Sequence, residues 1–483
     1  MIRKFAAFLR FSFCNMKKFL FTSSALFTII LPCLALASPQ SGNFVNQTSS
    51  IYAILALIVF CLAYLLVMFE DATGMSKSKP VVLAAGFIWM MIAILGKLSG
   101  NSELVERNIN QGLLEYGELL LFLLVAITYI NVLEERLVFE ALKNKLLRLG
   151  FGFQGVYWLS GILAFLISPI ADNFTTALVL SAVVLSVGRN NTRFICLSCI
   201  NIVVAANAGG AFSPFGDITT LMVWQNKVVP FGDFFSLFIP ALVNFLLPAL
   251  IMSFALPKLH ERKRPIEKRQ MKPGAIVVII LFLATIITAV CFQNFLELPA
   301  ALGMITGLGY LMFLSFWFKK KNGCAHPVYF DVFKKIQAQE WDTLLFFFGI
   351  LLAVKGLATL GYLELVSRTL YQSTPSILPS LFNPITQANI LIGIFSAVVD
   401  NIPVMFGVLS MHPPLNEGQW LLITLTTGVG GSLLSIGSAA GIAVMGKASG
   451  HYTFRGHLKW SWVILLGYFA SIAVHLCINR CFF

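Results

Sequence analysis

Apolar residues in this chain do not alternate with polar ones; they come in long, nearly unbroken runs. Plain runs cover about 50–69, 80–98 and 113–133, followed by stretches at 153–187 and 193–229 that proline, glycine and acidic residues interrupt, and a plain run at 233–256. After a basic segment the order restarts: plain runs at 274–292, 296–318 and 341–360, interrupted stretches at 383–410 and 420–449, and a plain run at 460–479. A bilayer-spanning helix takes ~20 apolar residues, so the pattern predicts an all-α integral membrane protein. Both halves show three plain runs, two interrupted ones and one plain run. Internal repeats of this kind build many secondary transporters.

Composition sharpens the exclusion. Only 11% of the 483 residues are charged, against ~25% in soluble chains, which rules out a water-soluble globule. The net charge of +13 would suggest nucleic acid in a soluble protein. Here the basic residues lie in loops between apolar runs, so membrane orientation accounts for them and no nucleic-acid partner is expected. Cys196 and Cys199 sit in an apolar run without the second pair or histidines that a zinc site needs. Neither a disulfide framework nor a cofactor is expected. At the start, Met16-Lys-Lys, an apolar stretch over 19–34 and Ala35-Leu36-Ala37 form a signal-peptide-like segment at 16–37, with an uncleaved extra helix as the alternative.

The repeat is visible in the letters as well. Ser168-Pro-Ile-Ala-Asp172-Asn173 matches Ser396-Ala-Val-Val-Asp400-Asn401, at an offset of 228. Gly209-Gly210 with Gly216-Asp217 matches Gly430-Gly431 with Gly437-Ser438, at an offset of 221. Charge sets the relative orientation of the halves. If 153–187 and 383–410 dip in and return as hairpins, the loops at 70–80, 134–150, 188–194, 258–273, 319–340 and 447–459 share one side and hold 23 Lys/Arg. The loops at 99–112, 230–232, 293–298, 361–382 and 411–419 then share the other side and hold only Arg107 and Arg368. Full crossings would put basic loops on both sides, against the positive-inside rule. The expected organisation is therefore a first repeat at 50–257, a basic cytoplasmic linker at 258–273 and an inverted second repeat at 274–479. That gives about ten spanning helices, two re-entrant hairpins and two broken helices, in a bacterial cytoplasmic membrane.

An Asp at the centre of a spanning helix costs roughly 2.5–3.5 kcal/mol on insertion scales, so acids in such runs call for a reason. Asp172, Asp217 and Asp400 lie beside the helix breakers Pro169, Pro214, Gly216 and Pro403. Broken helices expose carbonyls and N–H groups at membrane depth, where they hold ions. Asn173, Thr175 and Thr176 follow Asp172, Thr219 and Thr220 follow Asp217, and Asn401, Ser432, Ser435 and Ser438 serve the second half. Together these oxygens suit a hard cation such as Na⁺. The competing reading makes Asp172 and Asp400 helix caps at the hairpin tips.

Residues 168–180 (SPIADNFTTALVL), 207–224 (NAGGAFSPFGDITTLMVW), Asp400-Asn-Ile-Pro403 and 430–446 (GGSLLSIGSAAGIAVMG) resemble the NhaD-type sodium/proton antiporters, from Asn43 nearly to the end of the chain. These belong to a superfamily that also holds arsenite permeases and dicarboxylate carriers. The resemblance implies exchange of Na⁺, and often Li⁺, for H⁺ in pH homeostasis, with an elevator or rocking motion of one bundle. By motif position it implicates Ser168, Asp172, Asn173, Asn207, Asp217, Thr219, Thr220, Ser396, Asn401, Ser435 and Ser438. Partners are then Na⁺, Li⁺, H⁺ and the lipid bilayer, with a homodimer as the assembly allowed. Lys355, mid-span in 341–360, departs from the pattern and is expected to pair with a carboxylate or to line a wet cavity. Glu115 and Glu118, at the outer end of 113–133, are expected to be interfacial, with an ion funnel as the alternative. None of the six histidines is expected mid-membrane, and His412 is a loop residue. The rival readings are an arsenite or organic-anion permease on the same scaffold and an intramembrane aspartyl hydrolase. Three acids argue against the first, and the missing first glycine at Phe215-Gly216-Asp217 argues against the second.

Overall fold

A computed structural model describes residues 47–68, 74–148, 152–188, 191–257, 270–322, 330–372 and 383–483. The signal-like segment at 16–37 and residues 258–269 of the linker lie outside them. The helices begin with α1 (Ile51–Met68), α2 (Ser78–Leu98), α3 (Ser102–Glu135) and α4 (Val138–Arg148). Next come α5 (Phe153–Ala171), α6 (Asn173–Gly188), α7 (Thr192–Gly210), α8 (Ile218–Gln225) and α9 (Phe238–Ser253). The second half holds α10 (Ala275–Phe295), α11 (Ala300–Asn322), α12 (Val332–Gln337), α13 (Trp341–Thr359) and α14 (Tyr362–Ser367). It continues with α15 (Pro384–Phe395), α16 (Asn401–Met411), α17 (Glu417–Gly430), α18 (Ala439–Lys447), α19 (Phe454–Leu458) and α20 (Ser461–Ile478). Among the described residues nine helical segments are long and apolar enough to cross a membrane. Among the described residues the architecture is all-α, with two hairpins and two broken helices.

One boundary differs plainly from the hydropathy reading. Residues 99–112 were expected as a loop, yet α3 starts at Ser102 and runs for 34 residues. At ~1.5 Å per residue that is ~51 Å, well beyond the ~30 Å hydrocarbon core. The polar segment Ser102–Gln111 contains no proline or glycine, and Glu103 in the first turn complements the helix dipole. Hydropathy ends at the membrane surface, but nothing stops the helix there.

The chain forms two compact units, and each draws on both sequence halves. The first comprises Met1–Leu113 and Trp341–Ser373. In it α13 packs on α2, with Gly349 so close that a Cβ would stand 2.6 Å from the Val81–Val82 peptide. Trp89 Nε1 donates to the Leu352 carbonyl at 2.9 Å, and Ala53, Ala56, Ile88, Ile92 and Leu357 form the core.

The second unit comprises Leu114–Glu340 and Thr374–Phe483. At one end Lys272 N donates to the Arg136 carbonyl (3.0 Å), Lys335 pairs with Glu135 (2.6 Å), and Thr192 Oγ1 meets His451 Nδ1 (3.0 Å). Lys447 lies within electrostatic reach of Glu134, Glu140 and Lys143 at that same end. The described parts of the basic loops, at 134–148, 191–194, 270–273, 330–340 and 447–459, thus gather together. At the other end of α9, Asn479 Nδ2 donates to the Ser236 carbonyl (3.1 Å) and Asn416 Nδ2 to the Phe483 carbonyl (3.2 Å). The hairpin α5–α6 opens at the lysine-rich end, and α15–α16 opens at the opposite one.

Candidate functional site

The hairpins are tied down in the same way in both halves. Ser168 Oγ donates to the Ala206 carbonyl at 2.7 Å, and Ser396 Oγ to the Thr427 carbonyl at 3.0 Å. These pairs follow the two sequence offsets, 228 and 221, that relate the motifs. Pro169 lacks an N–H and so leaves the Phe165 carbonyl without its helical partner. Gly209 lies against that carbonyl so closely that a Cβ would overlap it, and Gly430 lies in the same way on the Gly393 carbonyl. Only glycine lets these backbones touch.

Beyond those glycines both long helices unwind. Residues 211–217 separate α7 from α8, and 431–438 separate α17 from α18. Each break ends in an extended residue that caps the next helix: Asp217 (φ −146°, ψ 144°) accepts from Thr219 N, and Ser438 (φ −146°, ψ 150°) from Gly441 N. Thr220 Oγ1 reaches back 3.5 Å to the Gly210 carbonyl.

The two hairpin tips converge on Asp217, which is 5% exposed. Asn173 Nδ2, from the first tip, donates to Asp217 Oδ2 at 3.2 Å, and Asn401 Nδ2, from the second, donates to the same oxygen at 2.8 Å. Thr219 N donates to Oδ1 at 3.3 Å. Asn173 Nδ2 also reaches Asn207 Oδ1 (3.2 Å), and Asn207 Nδ2 donates to Ser438 Oγ (3.0 Å), which joins the two breaks. Asp400 lies within Coulombic reach of Asp217. A buried carboxylate fed by three donors, with half-helix ends from both breaks beside it, presents fixed dipoles and exchangeable oxygens to a small cation.

The remaining sequence candidates divide. Asp172 has φ 55° and ψ 160°, a region that favours glycine, and both its oxygens are held by Thr175, from N (2.8 Å) and from Oγ1 (2.9 Å). It caps α6, as the competing reading had it. Asp400 makes no cap bond to α16. Thr176 is buried, and its Oγ1 has no hydrogen-bond partner. Ser435 Oγ contacts Met445 Sδ at 3.8 Å, away from the Asp217 network. Lys355 belongs to the first unit, where it is 9% exposed and packs against Gly112.

One buried group escaped the sequence reading. His457 is fully buried, with Nε2 2.9 Å from the Ser432 carbonyl in the second break and Nδ1 2.7 Å from Tyr452 Oη. Burial pushes its pKa down to about 4, so the ring is neutral at pH 7. A carbonyl only accepts, so Nε2 carries the proton and Nδ1 accepts from the tyrosine. The signal was faint, because the histidine stands among polar residues of a basic loop.

Known proteins share this arrangement of sequence. Residues 55–428 match the family described as citrate transporter (CitMHS). A protein of Vibrio cholerae named Na(+)/H(+) antiporter NhaD is 51% identical over 469 residues, covering 92% of this chain and 96% of its own. One of the same name from Alkalimonas amylolytica is 50% identical, covering 93% and 96%. Sodium/proton antiporter 1 of Arabidopsis thaliana is 28% identical, covering 94% and 78%.

Proposed function

This chain belongs to the NhaD-type sodium/proton antiporters within the citrate transporter (CitMHS) family, and from that premise we propose that it exchanges Na⁺ for H⁺ at the Asp217 network. The observation that carries the reading is the convergence of Asn173 and Asn401, from oppositely directed hairpins, on one buried carboxylate. Desolvation favours a protonated acid, while a neighbouring cation favours the ionised one. Proton and Na⁺ therefore compete for the same oxygens, and neither needs an added cofactor. The carbonyls that end α7 and α17 supply negative dipole to a bound cation. Asp400, near enough to act on Asp217, adds a second acid to the competition. Asp172 supports the site by holding the first tip in shape, which keeps Asn173 directed at Asp217.

Alternating access carries Na⁺ outward and H⁺ inward, with Li⁺ entering by the same oxygens. The lysine-rich end of the second unit faces the cytoplasm, and the protein resides in a bacterial cytoplasmic membrane, as the signal-like segment and positive-inside rule support.

Everted vesicles with an acidic interior test the proposal. Added Na⁺ or Li⁺ should dissipate the proton gradient, and K⁺ should not. Equal responses to K⁺ and Na⁺ would remove the selectivity. Silence toward all three cations, with citrate or arsenite moving instead, would overturn the exchange.

A further inference from the structure

A cavity of about 230 Å³ opens in the second unit, away from the Asp217 network. Glu118 of α3, Gln225 of α8 and Lys227 just after it, and Gln293 of α10 and Glu297 just after that helix line it. The flanking loops belong to the set poor in Lys and Arg, on the side expected to be external. Its volume is many times the ~10–15 Å³ that one water needs, so the space admits an ion with part of its hydration shell.

Two lining amides carry buried polar atoms with no hydrogen-bond partner, Gln225 Nε2 and Gln293 Oε1. Gln293 is 7% exposed. Its Nε2 donates to the Trp224 carbonyl at 2.7 Å, which fixes the amide so that Oε1 is left as a buried acceptor with no hydrogen-bond partner. A buried acceptor without a partner costs ~1–3 kcal/mol. Two carboxylates line the same space, while Lys227 acts on Glu118 through the field. Among the lining residues two glutamates and one lysine leave one net negative charge, and Glu115 adds to the field at Glu118.

We propose that this cavity is a second cation site, built for a single partly hydrated monovalent alkali ion held by Glu118, Glu297 and Gln293 Oε1. The carboxylates exclude anions. Calcium takes six to eight oxygen ligands, more than Glu118, Glu297 and Gln293 Oε1 offer. The site binds Na⁺ without being part of the exchange chemistry, so it stands whether or not Asp217 carries transport.

Binding of ²²Na⁺ to the purified full-length protein tests this in a D217N background, which removes the carboxylate on which both hairpin tips converge. D217N should keep one saturable Na⁺ site. Adding E118Q and E297Q, which preserve shape and remove both charges, should weaken that site about tenfold or more, whereas adding K227Q should tighten it a few-fold. The opposite signs separate an electrostatic site from a structural defect. The proposal is overturned if D217N binds no Na⁺, if the E118Q/E297Q pair changes nothing, or if K227Q weakens binding.

Discussion

The two breaks share a backbone and differ in charge. Asp217 and Ser438 have nearly the same φ and ψ, and each caps the helix that follows, but only one is an acid. The cap is thus what the fold requires twice, and the carboxylate is what it carries once. Their supports differ as well. Phe212 of the first break sits among Phe165 and Phe238, with ring centroids 5.4 and 5.2 Å away, while His457 bonds the Ser432 carbonyl of the second. Aromatic packing supports the charged break beside the hydrogen bond from Ser213 Oγ to the Pro169 carbonyl (2.9 Å), and a histidine supports the neutral one.

The sharpest way to break this comparison separates cap from charge. Asn caps helices as well as Asp, so D217N should keep α8 and the folded protein while exchange in proteoliposomes falls by about 100-fold or more, equivalent to ~2.7 kcal/mol or more. S438A removes a neutral cap and the acceptor of Asn207 Nδ2, each worth ~1 kcal/mol, and should slow exchange about 30-fold at most. Equal losses in both variants would mean that the breaks do the same work.

A smaller effect tests what the halves have in common. G209A and G430A each force a methyl group into a carbonyl, and overpacking of this kind costs ~1–3 kcal/mol. Both should lower the thermal midpoint in detergent by similar amounts. A large drop in one half alone would show that the shared contact matters only there.

The smallest effect lies in the histidine that supports the neutral break. His457 stays neutral in the fold, with its pKa near 4, below its ordinary 6.5. The unfolded chain binds that proton first, so stability falls as pH drops below about 6.5 and goes on falling toward 4. Between about pH 8 and about pH 6 the loss should be ~1 kcal/mol. H457Q, which still offers a donor to Ser432, should flatten that part of the pH–stability curve. An unchanged slope would remove His457 as its source.

Much of this was legible in sequence because the breakers and acids stand inside apolar runs, where nothing else explains them. Pro169, Gly216 and Asp400-Asn401 marked the tips and breaks, and the paired motifs marked their equivalence. What sequence left open depended on contacts between distant residues. Asp172 and Asp400 look alike in the letters, yet Asp172 turns both oxygens to Thr175 at a positive φ and Asp400 makes no such cap. The bond from Asn207 to Ser438 spans 231 residues, and no local pattern announces it. Hydropathy places Glu118 at the edge of a run, and the fold adds that it lines a cavity with Gln225, Gln293 and Glu297.

The glycine contacts at 209 and 430 bear on how such a duplicated chain can diverge. After duplication the two copies were free to exchange an aspartate for a serine, a phenylalanine clamp for a histidine, and one loop length for another. At Gly209 against Phe165 and at Gly430 against Gly393 there is no room for even one methyl group. Charge there could drift between the copies, but thickness could not.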